Sequence, residues 1–419
     1  MKLRLLIALL ACQVSFAQPD HRTCGMQEQM QRIMNDPAKR AAYLELQSKF
    51  ETELQKLAAN NFRNTNTTIR IPVAVHFPSI SNSSTETIKN CYRALAQTQI
   101  NILNADYNGT NADIANYQND APYYPGTNTG NMDVQFILGT QNHPAGTGLA
   151  NGVVAVTFGT DFLGGADEDT TWAGYMNLVV RNEGNQILGY SPLGGSPSAG
   201  ETVVINRFCF GSGSGCTPSY VPTSPYNLGR TLTHELGHFF NLQHTFGPVG
   251  EGNGCVTSNT DNIADTPKVG YCSYDCPAAG EVAGCVNGQY ALTMNFMDYV
   301  NDACMYMFTA GQAARMQAYY NVIASQFTTT ALANDEFLQN QFKLYPNPNK
   351  GTFTLEFKDF SNSFSVQVFD MTGKVIYENN YDQSSSLTQT IKLDKPASGV
   401  YFINVRSDKG LVTKKLIVE

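Results

Sequence analysis

The 419-residue sequence predicts an α/β (α+β) domain with a mixed sheet, followed by a small all-β sandwich. The first domain is indicated by strand-like alternation in TIRIPVAVHF, by helical spacing of apolar residues in IKNCYRALAQTQINIL, and by the strand-like runs MDVQFILGT, YMNLVV and TVVIN. The second is indicated by six short strand-like runs after residue 350, separated by turn sequences such as MTGK and SDKG. A strand, a helix and further strands build a mixed sheet, and regularly spaced short strands build a sandwich.

The first 17 residues, MKLRLLIALLACQVSFA, predict a secretory signal peptide cut after Ala17. Lys2 and Arg4 precede an apolar run that is shorter than the roughly 18 residues a membrane-spanning helix needs. A buried N-terminal helix and a lipoprotein signal cut before Cys12 are the alternatives. We therefore expect an exported protein without a transmembrane segment.

The composition is that of a globular protein, with 42% hydrophobic and 11% aromatic residues. The formal net charge is −8 and no long basic run is present, which argues against a nucleic acid or an anionic membrane as partner. The polar stretch of residues 18–63 predicts helical pieces that break near Pro37.

The stretch GRTLTHELGHFFNLQHTFG contains the candidate metal-binding and catalytic residues. It is predicted to be helical from about Leu228, so that His234 and His238, four residues apart, lie on one face and can bind one metal ion. Glu235 lies beside them, where a carboxylate can act on a metal-bound water. The pattern predicts a zinc site with Glu235 as its general base.

A third imidazole, His244, can reach the same metal only if the helix ends and the chain turns sharply. Such a turn needs a residue that tolerates positive φ; Gly is best and Asn is next, and Asn241 stands at this position. HExxH alone is moderately specific, whereas a third His six residues later makes the pattern strong. The alternative is a set of surface histidines on an ordinary helix. The other three histidines, His21, His76 and His143, have no evident partners in the sequence, and we interpret them as ordinary surface or core histidines.

The motif His234-Glu235-Leu-Gly-His238-Phe-Phe-Asn241-Leu-Gln-His244 resembles that of the metzincin metalloproteases, with Asn241 in place of the usual Gly. The run MNFMDYVNDACMYMFTAGQAARM resembles their methionine turn, with Met297 beneath the metal and Tyr299 reaching toward it. Together with HTFG after the third His, this run is similar to the pappalysin family over roughly residues 70–325. The resemblance implies a zinc endopeptidase that acts on protein or peptide substrates, with one catalytic Zn²⁺ and with Tyr299 donating to the oxyanion.

Two other classes share part of this pattern. A gluzincin has the same helix but takes a Glu from a following helix, and Glu251 and Glu281 lie in Gly- and Cys-rich sequence instead. A non-catalytic binding module or adhesin that retains the fold is expected to have lost Glu235, which is present. A hydrolase for non-peptide substrates is disfavoured by the methionine turn.

The resemblance also implies structural features of the loop after the third His. Structural Ca²⁺ is possible, with oxygen ligands from Asp261, Asp265 and Thr266, although an Asx-turn cluster is an equally good interpretation. Disulfides Cys255–Cys285 and Cys276–Cys304 are the family-like pairs.

Ten cysteines are present, and eight of them lie between residues 91 and 304, enough for four disulfides in an oxidising compartment. Beyond the two family-like pairs, Cys91, Cys209, Cys216 and Cys272 are expected to pair among themselves, with Cys209 and Cys216 close enough in sequence to be partners. Cys24 is the candidate odd thiol.

Cys24-Gly25 resembles the zymogen latch of pappalysin-like enzymes, in which a thiolate takes the position of the metal-bound water. We expect release of Cys24 by a cut near Arg63 or Arg70. Asp20 as the latch, or a Cys24 that is unpaired or bonded to another chain, are the alternatives.

The C-terminal sequences YPNPNKGTF, VFDMTGKVIYE and GVYFINVRSDKGLVTKKLIV resemble the sorting domain of the type IX secretion system. This implies passage through the periplasm and outer membrane of a Gram-negative bacterium to a secreted or cell-surface location, with the secretion machinery as a partner. A carbohydrate-binding or adhesive sandwich is the alternative. The expected domains are a signal peptide 1–17, a pro-segment 18–63, a metzincin-like catalytic domain 64–328, a linker 329–341 and a sorting domain 342–419.

The pappalysin resemblance further implies a preference for a basic residue just after the scissile bond. Asp302 and Asp298 both lie near the methionine turn and are candidates for the acidic group that binds it. The sequence leaves this choice open.

Overall fold

The computed structural model describes residues 21–59, 68–184, 187–248, 250–256, 260–332, 342–357, 364–370, 374–382, 388–394, 396–407 and 410–419. The expected signal peptide and most of the expected linker lie outside these residues. The chain divides into two compact units, one formed almost entirely by the residues up to Thr329 and the other by residues 330–419 with the short stretches 140–142 and 150–153. Among the residues described, no helix combines the length and the apolar character that crossing a membrane requires.

The first unit contains the helices of the expected pro-segment (residues 18–63, called the leader from here on) and those of the predicted α/β domain. The helices are α1 (Met26–Asn35), α2 (Pro37–Ala59), α3 (Glu86–Tyr107), α4 (Tyr117–Asp120), α5 (Arg230–Phe239) and α6 (Ala310–Ile323). Short 3-10 helices span Ala112–Asn116, Ala121–Tyr123, Leu163–Gly165, Thr170–Trp172, Pro197–Ala199, Ala324–Gln326 and Thr329–Ala331. The strands are β1 (Ile69–Phe77), β2 (Val134–Leu138), β3 (Val156–Phe158), β4 (Met176–Arg181), β5 (Gly189–Tyr190) and β6 (Thr202–Asn206).

These six strands form one mixed sheet in the order β2-β1-β4-β6-β5, with β3 paired to β1 beside that path. β1 is parallel to β2, β3 and β4, and β4 is parallel to β6. Only β5 runs antiparallel, against β6. The predicted mixed sheet is confirmed, and its short antiparallel edge strand lies beside the active-site helix described below.

The central strand β1 is almost entirely buried, which is what helices on the faces of a parallel sheet produce. α3 covers the sheet with an apolar face that includes Tyr92, Leu95 and Leu103. The side chain of Thr85 accepts a hydrogen bond from the Ile88 amide and caps this helix. The helix predicted over IKNCYRALAQTQINIL is confirmed, and it begins two residues before that stretch, at Glu86.

The leader forms two helices that meet at Asp36. The Asp36 carboxylate accepts hydrogen bonds from the amides of Ala38 (2.9 Å) and Lys39 (3.1 Å), and Pro37 takes the first helical position, where its missing N–H costs nothing. The predicted break near Pro37 is confirmed. α2 then packs against α6, with Phe50 fully buried.

Helix α5, which carries the predicted metal-binding histidines, begins later than predicted. Gly229 has φ of +75°, a left-handed conformation that cannot belong to the helix, so the first helical residue is Arg230 and not Leu228. All ten residues of α5 are buried.

The second unit consists of two antiparallel sheets that share one apolar core, which confirms the predicted small all-β domain. Its strands are β7 (Phe342–Tyr345), β8 (Thr352–Phe357), β9 (Phe364–Phe369), β10 (Val375–Tyr381), β11 (Thr388–Lys392), β12 (Gly399–Ser407) and β13 (Gly410–Val418). The strand orders are β10-β9-β12-β13 and β11-β8-β7. Phe353 and Leu355 of one sheet and Val366 and Ile403 of the other belong to the same buried cluster.

The first unit forms disulfides Cys91–Cys216, Cys255–Cys285 and Cys276–Cys304. The two family-like pairs are present, and Cys91–Cys216 joins two of the four cysteines expected to pair among themselves. The expectation of a fourth disulfide is wrong, and the possible Cys209–Cys216 bond does not form. Cys216 lies beside α3 and is bonded to Cys91, while Cys209 is fully buried against Leu188 and Tyr226. Among the described cysteines, Cys24, Cys209 and Cys272 form no disulfide.

The buried histidine His76 in β1 leads to a prediction of how the stability of the first unit changes at low pH. Its ring is fully buried, with Nδ1 at 2.8 Å from Thr157 Oγ1 and Nε2 at 3.3 Å from Asn177 Oδ1, and it contacts the ring of Trp172 at 4.8 Å. Burial lowers the pKa of His76 to about 4, against the opposing charge of Asp161.

The unfolded chain protonates this histidine near pH 6.5, whereas the folded chain does so only near pH 4. Stability is therefore full above pH 6.5 and falls as the pH decreases through this window, by about 3 kcal/mol for this one group. We expect His76→Gln to lose less stability between pH 7 and pH 4 than the parent does. The fluorescence of Trp172, the only tryptophan of the chain, measures unfolding in urea at each pH. An unchanged pH dependence would contradict the assignment.

Candidate active site

Helix α5 places His234 and His238 on one face, and each ring is oriented by a backbone carbonyl. His234 Nδ1 lies 2.7 Å from the Phe296 carbonyl oxygen, and His238 Nδ1 lies 2.7 Å from that of Leu242. A hydrogen bond from Nδ1–H fixes the tautomer in which Nε2 carries the free lone pair. Both Nε2 atoms are therefore prepared to bind a metal.

The chain reverses at Asn241, which has φ of +68°. The Asn241 amide donates to the His238 carbonyl (2.8 Å) and the Leu242 amide donates to the Gly237 carbonyl (2.9 Å), which closes the end of α5. The turn brings His244 Nε2 to 3.0 Å from His238 Nε2. The structure thus brings the three predicted histidines together through a left-handed Asn.

These residues fit a zinc ion. His234 Nε2 is buried and has no hydrogen-bond partner in the described part of the chain. The ligand atoms of Cys24, His234, His238 and His244 all lie within 4.8 Å of one another. Burial lowers the pKa of His238 to about 4 and the pKa values of His234 and His244 well below the usual range, so the imidazoles are neutral, as metal ligands must be.

The leader places Cys24 beside the three histidines. The Gly25 amide donates to the Gly189 carbonyl (2.9 Å), and the Leu188 amide donates to the Thr23 carbonyl (3.0 Å), so the leader pairs with the edge strand β5. Cys24 Sγ lies 3.1 Å from Glu235 Oε2. Burial raises the pKa of the Cys24 thiol, and it raises the pKa of Glu235 to about 8.

The methionine-turn residues lie beneath and beside the histidines. Met297 is fully buried against α5, and a β-carbon added at Gly237 would lie 2.5 Å from its Sδ. The Tyr299 ring lies 5.0 Å from the ring of His244 and 5.8 Å from that of His234. Met297 thus supports the helix, and Tyr299 faces the histidine cluster.

Asp302 forms a salt bridge with Arg22, a residue that the sequence patterns did not mark as part of the site. Arg22, two residues before Cys24, is 1% exposed, and its Nη2 lies 2.6 Å from Asp302 Oδ1. Its Nη1 donates to Thr231 Oγ1 (3.0 Å) and its Nε donates to the Val300 carbonyl (3.1 Å). Asp302, Thr231 and the Val300 carbonyl thus form a pocket for this guanidinium. The sequence indicated its acidic side through Asp302, and the basic residue close to the candidate latch was the signal for its occupant.

Asp298 contacts different groups from those that Asp302 contacts. Its Oδ1 accepts hydrogen bonds from the amides of Ser273 and Tyr299, both at 2.8 Å, and so holds the methionine turn together. Of the two candidates, Asp302 is therefore the one that contacts a basic side chain.

The three calcium candidates are engaged with protein groups. The Asp261 carboxylate accepts from Thr266 Oγ1 (2.7 and 2.8 Å), and the Asp265 carboxylate accepts from Thr309 Oγ1 (2.7 Å) and from the Gly311 amide (2.8 Å). This is the loop-capping arrangement that we considered as the alternative, and it extends to the N-terminus of α6. Calcium binding stays a prediction.

Comparison with known proteins agrees with this geometry. A family model described as pregnancy-associated plasma protein-A matches residues 218–321, and one described as a secretion system C-terminal sorting domain matches residues 343–419. A structure of mirolysin in complex with a small compound is 32% identical, with a TM-score of 0.50, and is matched over 63% of this chain and 98% of that chain. The chain belongs to the pappalysin family.

Other proteins to which this chain is similar are named as metalloproteases or as the precursor of mirolysin. A Tannerella forsythia promirolysin mutant is 28% identical, with a TM-score of 0.53, over 75% of this chain and all of that chain. Extracellular metalloproteases of Sordaria macrospora and Colletotrichum graminicola are 45% identical over 96 residues and 36% identical over 154 residues. These matches cover 23% and 35% of this chain and 31% and 50% of the fungal proteins, so the chain spans at most half the length of these curated relatives. Family membership implies a catalytic zinc, which the histidine cluster fits.

The turn at Asn241 generates a prediction about the stability of this pappalysin. Asn241→Ala should unfold at lower urea concentration than Asn241→Gly, by a difference of about 1 kcal/mol, because a β-carbon is unfavourable at a φ of +68°. Both variants lose the hydrogen bond from Asn241 Nδ2 to Gln47 Oε1, so the comparison isolates the backbone. Equal stability of the two variants would show that the turn relaxes.

Proposed function

We propose that the chain is a secreted zinc-dependent endopeptidase that hydrolyses peptide bonds in proteins. The observation that supports this most strongly is the convergence of three neutral imidazoles beside the buried carboxylate of Glu235. Zinc, held by His234, His238 and His244, would supply a water of lowered pKa and polarise the scissile carbonyl.

The residues of the chain supply the proton transfers and the binding of substrate. Glu235 takes a proton from the attacking water and passes it to the leaving amine, a role that requires a carboxylate in a dry site close to both. The Tyr299 hydroxyl donates to the oxygen that becomes negative in the tetrahedral state. Leu188 N–H and the Gly189 carbonyl, which bind the leader, offer the same two hydrogen bonds to a substrate backbone.

The pocket that holds Arg22 supports a preference for arginine after the scissile bond. The guanidinium donates to three different acceptors, namely Asp302, Thr231 and the Val300 carbonyl. A lysine ammonium is a single point and cannot match this planar arrangement. Arginine should therefore be preferred to lysine at this position of the substrate.

The leader supports synthesis as a zymogen. Cys24 lies at the histidine cluster and Arg22 fills the pocket, so the leader excludes both water and substrate. Of the two expected cut sites, Arg70 lies within β1, in register with Gln135 of β2, and a cut there would break the sheet. Arg63 lies outside the described residues, between the end of α2 and the start of β1, and we propose it as the site of maturation.

The C-terminal unit supports export by type IX secretion. The match to a sorting domain covers nearly the whole unit from residue 343 to residue 419. We place the enzyme outside the cell or on its surface, after passage through the periplasm and the outer membrane, with the secretion machinery as its partner.

Glu235 provides the first test of the activity. The purified full chain, loaded with zinc and allowed to process itself, should cleave a mixed peptide substrate, with arginine after most cut sites. Glu235→Ala should reduce the rate at least about 100-fold, because the proton acceptor is lost. Mass spectrometry identifies the cuts in the substrate and in the chain itself.

The control is Glu281→Ala, which removes a carboxylate that only accepts from the Ala278 amide in an exposed loop. Cleavage that survives Glu235→Ala would remove this residue from the mechanism. Absence of cleavage by every protein, even after the leader is trimmed, would favour a non-catalytic binding module.

The latch has a spectroscopic test. Zinc-edge absorption of the zymogen should show three nitrogen ligands and one sulfur ligand, and Cys24→Ser should lose the sulfur and mature faster. Cys272→Ser is the control, since Cys272 lies outside the group of four that could hold the metal. A zymogen spectrum without sulfur would contradict a thiol latch.

A further inference from the structure

The N-terminus of α5 is capped by a carboxylate that lies 72 residues further along the chain. The residue before the helix, Gly229, has no side chain to offer as a cap. Instead Asp302 Oδ2 accepts hydrogen bonds from the amides of Leu228 (2.9 Å) and Arg230 (3.3 Å). Asp302 is fully buried, so no solvent competes for these bonds.

The other oxygen of the same carboxylate binds the guanidinium of Arg22. Asp302 Oδ1 lies 2.6 Å from Arg22 Nη2, while Nη1 of the same group donates to Thr231, the second residue of α5. The guanidinium therefore contacts both the cap of the active-site helix and its first turn. The charged group also lies over the ring of Tyr226, with 5.1 Å from its central carbon to the ring centroid.

The pocket remains suited to a cation after Arg22 has left it. Without the Arg22 guanidinium, Asp302 is a buried carboxylate that has lost its ion pair and keeps its bonds to the amides of Leu228 and Arg230, and a buried charge without an ion-pair partner is costly. Tyr226 adds a buried hydroxyl that has no hydrogen-bond partner in the described part of the chain. Removal of the leader takes Arg22 away and leaves these groups to a new ligand.

We propose that this pocket orders the active-site helix: a guanidinium bound there, on a substrate or as a free small ion, fixes Asp302 and the first turn of α5 and so positions Glu235 for catalysis. Glu235 lies four residues after Thr231, one helical turn along α5. Asp302 is then a positioning residue as well as a binding residue. An arginine after the scissile bond raises turnover in addition to affinity, and the catalytic part of this inference rests on the proposed function.

The kinetic test uses the self-processed enzyme and two peptides that differ only in the residue after the scissile bond, Arg or Ala. Ethylguanidinium should raise kcat for the Ala peptide about threefold or more, because it orders the helix without the substrate. The same ion should inhibit cleavage of the Arg peptide competitively. Inhibition of both peptides, or no effect on the Ala peptide, would overturn the inference.

A second test requires no activity. In the full chain carrying Glu235→Gln to prevent self-cleavage, Arg22→Ala should speed hydrogen exchange at the amides of Leu228, Arg230 and Thr231. Ethylguanidinium should restore their protection and raise the melting temperature, and Arg22→Met, which keeps the volume of the pocket filled, should also exchange fast. Unchanged exchange in both variants would overturn the inference.

Variants of two carboxylates separate the pocket from general effects of the ion. Asp302→Asn should abolish the response of exchange to ethylguanidinium, whereas Asp265→Asn, in a carboxylate that contacts the N-terminal turn of α6, should retain it. If neither peptide is cut but the exchange responds, the proposed protease activity fails and the ordering site remains. If the peptides are cut but neither kcat nor exchange responds, the ordering site alone fails.

Discussion

A helix with every residue buried must find partners for all its polar groups within the protein, and α5 is such a helix. Its first amides bond to Asp302, and the Nδ1 atoms of His234 and His238 bond to the carbonyls of Phe296 and Leu242. Each of these partners comes from outside the helix. The geometry of the metal-binding face is therefore set by the loops that surround α5.

The same constraint explains the charged groups behind the helix. Arg230, the first residue of α5, pairs with Asp113 at 2.9 Å and with Asp106 at 3.2 Å. Asp106 also accepts from Thr233 Oγ1, and Tyr107 donates to the Thr233 carbonyl. Asp106 and Tyr107 lie at the end of α3, so the helix that covers the sheet also holds the active-site helix in place.

The leader supplies partners to two buried carboxylates of the site. Arg22 neutralises Asp302, and Cys24 contacts Glu235. The same short stretch of chain thus contacts two buried carboxylates, one through a guanidinium and one through sulfur. With the leader in place, Asp302 has an ion-pair partner that it loses when the leader is removed, and this offers a physical reason for the stable inactive form that we propose.

Local patterns predicted much of the site, because its central residues lie within one helix and one turn. The spacing of His234 and His238 and the placement of Asn241 before His244 require only helical periodicity and the conformational tolerance of Asn. The pairing of Arg22 with Asp302 spans 280 residues and leaves no periodic signal. Cys91 and Cys216, 125 residues apart, are joined for the same reason by tertiary structure that spacing does not encode.

The edge strand β5 has only two residues, Gly189 and Tyr190, and the leader binds beside it with an extended backbone. A polypeptide that takes this place must offer backbone groups that are not already used in its own helices or sheets. Folded proteins expose few such stretches, mostly in loops and termini. For the proposed endopeptidase, the shape of this edge would therefore favour nicking of native proteins at a few positions and complete degradation only of chains that have already lost their structure.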